Sequence, residues 1–217
     1  MNQEESMEIL GEISKQLQLG DNEQVKELTI KAINANINPK IILDNGLIAG
    51  MNIIGIQFRN HEIFLPEVLM AAKAMYAGLD LLKPLFIKDE IPSSGKIVIG
   101  TVKGDLHDLG KNLVGIMLKG AGFEVIDLGK DVSPENFVDT ALKENAKVIG
   151  MSALLTTTMP SMKKVIDILE TKNLKGKIKT IIGGAPITES YAKEIGADSY
   201  AYDASISVER VKYLMEL

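Results

Sequence analysis

Only two histidines occur in this chain of 217 residues, His61 and His107. His107 stands in Gly104-Asp105-Leu106-His107-Asp108-Leu109-Gly110, directly after the apolar run Lys96 to Val102. An aspartate two residues before an imidazole can accept a hydrogen bond from one ring nitrogen. The other nitrogen is then left as a lone pair for a metal or a proton. Hydroxyl groups gather in a second segment, Ser152-Ala-Leu-Leu-Thr156-Thr157-Thr158, and a third polar end is Gly183-Gly184. A plain reading competes with this one: a surface histidine beside Asp108 as a helix N-cap, with Thr156 to Thr158 as helix caps. Residue types alone leave both readings open. His61 falls in a polar helix connection and reads as a solvated side chain.

Composition narrows the classes. Hydrophobic residues make up 46% and charged residues 24%, the balance of an ordinary globular protein. The formal charge is −5, with no long block of either sign. A nucleic-acid partner is therefore not expected, because phosphates want a clustered basic face. There are no cysteines, which removes disulfides, thiolate metal sites and cysteine nucleophiles together. The start, MNQEESMEIL, is acidic and polar, the reverse of a signal peptide. No apolar run approaches the ~20 residues of a membrane helix. A cytoplasmic protein without membrane contact is expected.

The elements that must position these residues fall into two halves. Up to about Lys88 the apolar period is helical. Met7, Leu10, Ile13 and Leu17 recur at three- and four-residue steps before Gly20. Asp21 caps a helix carrying Val25, Leu28, Ala32 and Ile33. Asn38-Pro39 opens a third through Ile42, Leu47 and Ile54, and Pro66 a fourth with Leu69, Ala72, Met75, Leu79 and Leu82 on one stripe. These spacings predict a four-helix bundle over residues 1–90. Lys88 to Gly95, charged and then rich in Pro, Ser and Gly, reads as a linker.

Residues 91–217 predict an α/β domain in which strands and helices alternate. The strands are Lys96 to Val102, Phe123 to Leu128, Val148 to Ser152, Thr180 to Ile182 and one near Tyr200. The helices run from about Leu109 to Lys119, from Ser133-Pro134, from about Pro160, near Thr188 to Ile195, and from Val208 to Leu217. Five such units imply a parallel sheet covered on both faces, in the flavodoxin-like (Rossmann-like) order 2-1-3-4-5. Ligands of such sheets sit beyond the carboxyl ends of the strands where the order reverses. The three chemistry-bearing segments all end strands on that edge.

Asp-x-His-x-x-Gly after the first strand, Ser-x-Leu after the third and Gly-Gly after the fourth together resemble the cobalamin-binding domain of methionine synthase and of the corrinoid proteins in methyltransferase systems. The helical half, through Phe58-Arg-Asn-His-Glu-Ile-Phe64-Leu65-Pro66-Glu-Val68, resembles the cap preceding that domain, so the likeness spans nearly the whole chain. It implies cobalamin, as methylcobalamin or cob(I)alamin, with cobalt held by His107 after the cofactor's own benzimidazole has left. Asp105 and Thr158 match the acid and hydroxyl of the family's hydrogen-bonded relay, with Thr standing where serine is usual. Gly104, Leu106, Asp108, Gly110, Ser152, Leu154, Thr156, Gly183, Gly184 and Ala204 match cofactor-contacting positions. Phe58 and Leu65, with Val68 nearby, match residues covering the methyl face, although apolar residues at helical spacing are more often core.

The resemblance further implies a methyl carrier rather than a complete enzyme. Its partners would be a substrate-specific methyltransferase, a second methyltransferase passing the methyl to tetrahydrofolate or coenzyme M, and a reductive activase. Three rivals remain: a carbon-skeleton mutase subunit, a cobalamin-sensing regulator, and a flavodoxin-like domain binding something else. A mutase would not need the helical half. A regulator would carry a basic DNA-binding module, which the acidic first helix does not supply.

Overall fold

The structure, a computed structural model, describes residues 3–85 and 93–217. Most of the linker read at Lys88 to Gly95 therefore lies outside the described residues. Contacts divide the chain into two units, Met1–Ser93 with Gly120–Gly122, and Ser94–Lys119 with Phe123–Leu217.

Among the described residues the regular elements of the first unit are helical: α1 (Gln3–Gln18), α2 (Asn22–Asn34), α3 (Pro39–Ile41), a π-helical stretch (Ile42–Ile48), α4 (Ala49–Arg59) and α5 (Leu65–Leu82). The capping chemistry works as the spacing predicts. Asp21 accepts from the Gln24 amide at 3.0 Å and Asn38 from the Lys40 amide at 2.8 Å, each satisfying an orphan N–H of a first turn. Ile9, Leu10, Ile13 and Leu17 of α1 are buried with Val25 and Ala32 of α2. Two expected stripe members are exposed: Met7 at 67% and Leu69 at 46%. On α5 the buried stripe keeps the expected Ala72, Met75 and Leu82 and adds Val68, Ala71 and Gly78. One long helix is apolar: Pro39–Arg59 forms 21 continuous helical residues, and an 18-residue window within it has a mean hydropathy of 1.4, a length and composition that the core helix of a bundle shares with a membrane span. Its Ile42, Leu43, Leu47, Met51 and Ile54 are buried, and α1 and α5 pack on it as on the central helix of a bundle.

The second unit alternates strand and helix: β1 (Lys96–Thr101), α6 (Leu109–Gly120), β2 (Glu124–Asp127), α7 (Pro134–Lys143), β3 (Val148–Ser152), α8 (Pro160–Thr171), β4 (Lys179–Gly183), α9 (Glu189–Ile195), β5 (Ser199–Tyr200) and α10 (Ala204–Leu214). All pairs are parallel in the order β2-β1-β3-β4-β5, as the alternation predicts. The interior strand β1 is buried from Ile97 to Thr101 because helices cover both faces, whereas the edge strand β2 has no buried residue. Phe137 of α7, fully buried, packs with Val98, Ile149, Met162 and Ile166. Helix α10 begins at Ala204, four residues before the expected Val208, because Asp203 caps it through the Ile206 amide at 2.7 Å.

Candidate functional site

The strand order creates the site. Because β3 lies beside β1 with Thr101 opposite Ser152, the loops that leave these two strands meet at one edge. After β1 the chain turns through a bond from the Asp105 amide to the Val102 carbonyl at 3.1 Å. Gly104 makes that turn at φ +86°, where a β-carbon would be strained. Asp105 then folds its side chain forward: Oδ1 accepts from the His107 amide at 3.0 Å, a local turn typical of aspartate. The Thr101 hydroxyl donates to the His107 carbonyl at 3.0 Å, so backbone on both sides of the imidazole is held.

Asp105 has no exposed surface, yet its carboxylate is fully occupied. Oδ1 also meets His107 Nδ1 at 2.8 Å. Oδ2 accepts from the Leu154 amide at 2.7 Å, the Leu155 amide at 3.2 Å and the Thr158 hydroxyl at 2.9 Å. Burial alone would raise the carboxyl's pKa, but the bonds from His107, Leu154 and Thr158 outweigh it and hold the group well below the usual carboxylate range. An ionised carboxylate only accepts, so Nδ1 must carry the hydrogen and the lone pair belongs to Nε2. The His107 side chain is 52% exposed, and among the described residues no hydrogen bond to Nε2 occurs. Thr158 lies 2.8 Å from the Leu155 carbonyl as well. Its single hydroxyl hydrogen has two acceptors, and the anion is the stronger. This also decides the capping alternative, since α8 follows Met159 without a side-chain cap.

The other expected residues divide. Leu106 is 63% exposed and Leu154 42%, so both present apolar surface beside His107. Thr156 is exposed, Asp108 and Ser152 are half-buried, and Gly110 faces open space. Gly183 is half-buried at the end of β4. Gly184, at φ +129°, is required for a different reason from the one its position suggests. A β-carbon there would lie 1.9 Å from the Ala153 carbonyl oxygen, so the glycine admits neighbouring backbone before it admits any ligand. Ala204 is buried, and the exposed side chain of that segment is Tyr202 at 67%. In the helical unit Phe58 and Leu65 are half-buried. Val68 has no exposed surface.

Sequence reasoning missed the three backbone amides on Asp105, from His107, Leu154 and Leu155, and it missed two carboxylates beside the loop. Lys111, 4% exposed, sends its ammonium to Asp127 and to Asn112. Asp131, at φ +57°, accepts from the Gly104 amide at 2.8 Å and from Lys103 at 3.1 Å. Those two bonds hold its carboxyl below the usual range. Opposite charges at the expected carboxyl edge of the sheet were the available signal.

Residues 95–209 match one description of the B12 binding domain, and residues 9–83 match a second. Dimethylamine corrinoid protein 1 of Methanosarcina acetivorans is 46% identical over 187 residues, covering 86% of this chain and 88% of that protein. The chain belongs to the B12-binding corrinoid proteins. A corrinoid protein of Desulfitobacterium hafniense is 43% identical over 206 residues, 94% of this chain and 95% of its own length. The methanol:cobalamin methyltransferase complex MtaBC from Methanosarcina barkeri contains a chain that superposes with a TM-score of 0.88. Identity there is 29%, over 100% of this chain and 85% of that one. Monomethylamine corrinoid protein from the same organism gives 0.54 at 34% identity, covering 95% and 98%.

The donor set fits the cofactor of this corrinoid family. Among the described residues no three His, Asp or Glu side chains gather as a metal cage. A bare ion would find one nitrogen here. A cobalt already held by a corrin ring would need only one further donor from the protein, and Nε2, oriented through Nδ1 by a buried carboxylate, could supply it.

Proposed function

We propose that this chain carries a methyl group on cobalamin for partner methyltransferases, with His107 holding the cobalt in place of the cofactor's own base. The observation that carries this reading is the hydrogen-bonded chain Thr158–Asp105–His107, which runs from two buried residues to an exposed imidazole nitrogen at the sheet's switch point. Bound cobalamin supplies a cobalt centre that can accept and release a methyl group. The chain's residues do the rest. Asp105 holds the imidazole in one tautomer and balances it if it takes a proton on leaving the metal; Thr158 and the Leu154 amide keep that carboxylate anionic. Leu106, Leu109 and Leu154 offer the exposed apolar surface that a corrin ring would cover. Relatives named for dimethylamine and for monomethylamine, together with the MtaBC likeness, support a substrate-specific methyltransferase as one partner. A second methyltransferase, delivering to tetrahydrofolate or coenzyme M, and a reductive activase complete the proposed set. The test combines loaded, reduced protein with dimethylamine and a dimethylamine-specific methyltransferase. About one methyl per cobalt is expected in the product spectrum; no transfer from any methylated amine or from methanol would count against the carrier reading.

Phe58 and Leu65 are the proposed shielding residues of the helical unit. Phe58→Ala is expected to speed photolysis of the methylated, loaded protein while leaving the melting temperature of the cofactor-free protein nearly unchanged. If Phe58 is ordinary core, truncation instead costs roughly 3–5 kcal/mol and photolysis stays as it was.

A further inference from the structure

The loop that carries His107 is irregular backbone between Val102, which bridges to Val132, and Leu109. It is nevertheless pinned on both sides of the histidine, and both pins lead to one short segment at the end of β2. On the near side Asp131 Oδ1 accepts from the Gly104 amide at 2.8 Å, and its Oδ2 accepts from Lys103 at 3.1 Å. The Asp131 amide in turn donates to the Asp105 carbonyl at 3.1 Å. On the far side Lys111 Nζ sits 2.7 and 2.5 Å from the two oxygens of Asp127, with the lysine side chain 3% exposed. Asp127 Oδ1 also accepts from the Gly129 amide at 2.8 Å. The segment between the two aspartates is itself an extension of the sheet. Leu128 donates to the Ile99 carbonyl at 2.8 Å, Thr101 to the Gly129 carbonyl at 2.9 Å, and Val132 to the Thr101 carbonyl at 3.0 Å.

We infer that Asp127 and Asp131 form a two-point clamp that fixes the position of the His107 loop, which makes both of them positioning residues for the metal ligand. This rests on the reading of His107 as that ligand. Asp105 sets the rotation of the imidazole, and the clamp sets where Asp105 and His107 stand on the sheet. A buried ammonium held by a carboxylate and a side-chain amide resists displacement, because moving it would leave an unpaired charge out of water. Groups behind a metal ligand commonly alter metal affinity by about 10–100-fold, and Asp131, one bond further out, belongs near the lower end.

The experiment compares Asp131→Ala with Asp131→Asn. Asparagine tolerates the left-handed backbone and keeps an oxygen for the Gly104 amide; alanine does neither. In cofactor-free protein labelled with nitrogen-15 histidine, the wild type is expected to show one His107 tautomer, with the hydrogen on Nδ1. Asp131→Ala is expected to mix the tautomers and to weaken hydroxocobalamin binding about tenfold. Asp131→Asn is expected to restore most of both, and Asp127→Asn, which leaves Lys111 without its counter-charge, to reproduce the tautomer mixing. Unchanged His107 signals and unchanged affinity in Asp131→Ala overturn the clamp. So does a loss that merely follows the melting temperature and is not rescued by asparagine. Tautomer mixing in Asp131→Ala, found in a protein that does not use His107 as its cobalt ligand, would uphold the clamp and overturn the ligand reading.

Discussion

Asp105→Ala is expected to lower the melting temperature of the cofactor-free protein by about 6–12 °C, at about 2–4 °C for each kcal/mol in a chain of this size. The carboxylate is fully buried and accepts from His107, Leu154, Leu155 and Thr158. Hydrogen bonds to a charged group are worth about 1.5–3 kcal/mol, and donors sharing one carboxylate do not add, so a loss of about 3 kcal/mol is expected. The pH dependence separates charge from shape. Because the folded pKa lies below the unfolded one, the carboxylate's contribution is fully present above about pH 4 and is lost as pH falls further. Unfolding at pH 7 and at pH 3 should therefore show the gap between wild type and Asp105→Ala narrowing at the lower pH. An equal gap at both would mean that the site stabilises through packing and not through an ionised acid.

His107→Ala should do the opposite: little to the fold, much to the cofactor. The side chain is half exposed and contributes one bond to Asp105, so a cost of about 1 kcal/mol is expected. Hydroxocobalamin affinity should fall about 100-fold, the upper end of what disturbing a metal's support removes. Electron paramagnetic resonance of the cobalt(II) form, in protein labelled with nitrogen-15 histidine, is expected to show coupling to one histidine nitrogen in the wild type and none in the variant. Coupling to the benzimidazole in the wild type would sink the ligand assignment, whatever the affinities.

Much of the relay is legible in the amino-acid order. Asp105 and His107 are two residues apart, and their bond is a local turn that the spacing makes available. Thr158 can be named only through the family likeness, because nothing in the chain between residues 105 and 158 measures their separation in space. Burial is a different matter: Val68 and Ala204 are both buried, and a motif match does not foretell that, because burial depends on which side of a helix is covered. Gly184 is a glycine that matters, as its place after β4 suggests, although what a side chain there would strike first is the Ala153 backbone.

The amino-acid order by itself determined whatever is set within one turn or one strand. It started helices at Asp21, Asn38-Pro39, Ser133-Pro134 and Thr188, because a cap bonds amides only two or three residues ahead. It also set the alternation of strand and helix, from which a parallel sheet with a single switch point follows. Tertiary structure alone decided how the switch point is filled. The bonds from Leu154 and Thr158 to Asp105 join residues 49 and 53 apart, and they exist because Thr101 and Ser152 are in register on neighbouring strands. The same holds for Lys111 on Asp127 and Gly104 on Asp131, which need β2 at the edge beside β1. Register and strand neighbours are properties of the assembled sheet, and apolar periodicity, which records only which face of an element is buried, does not encode them.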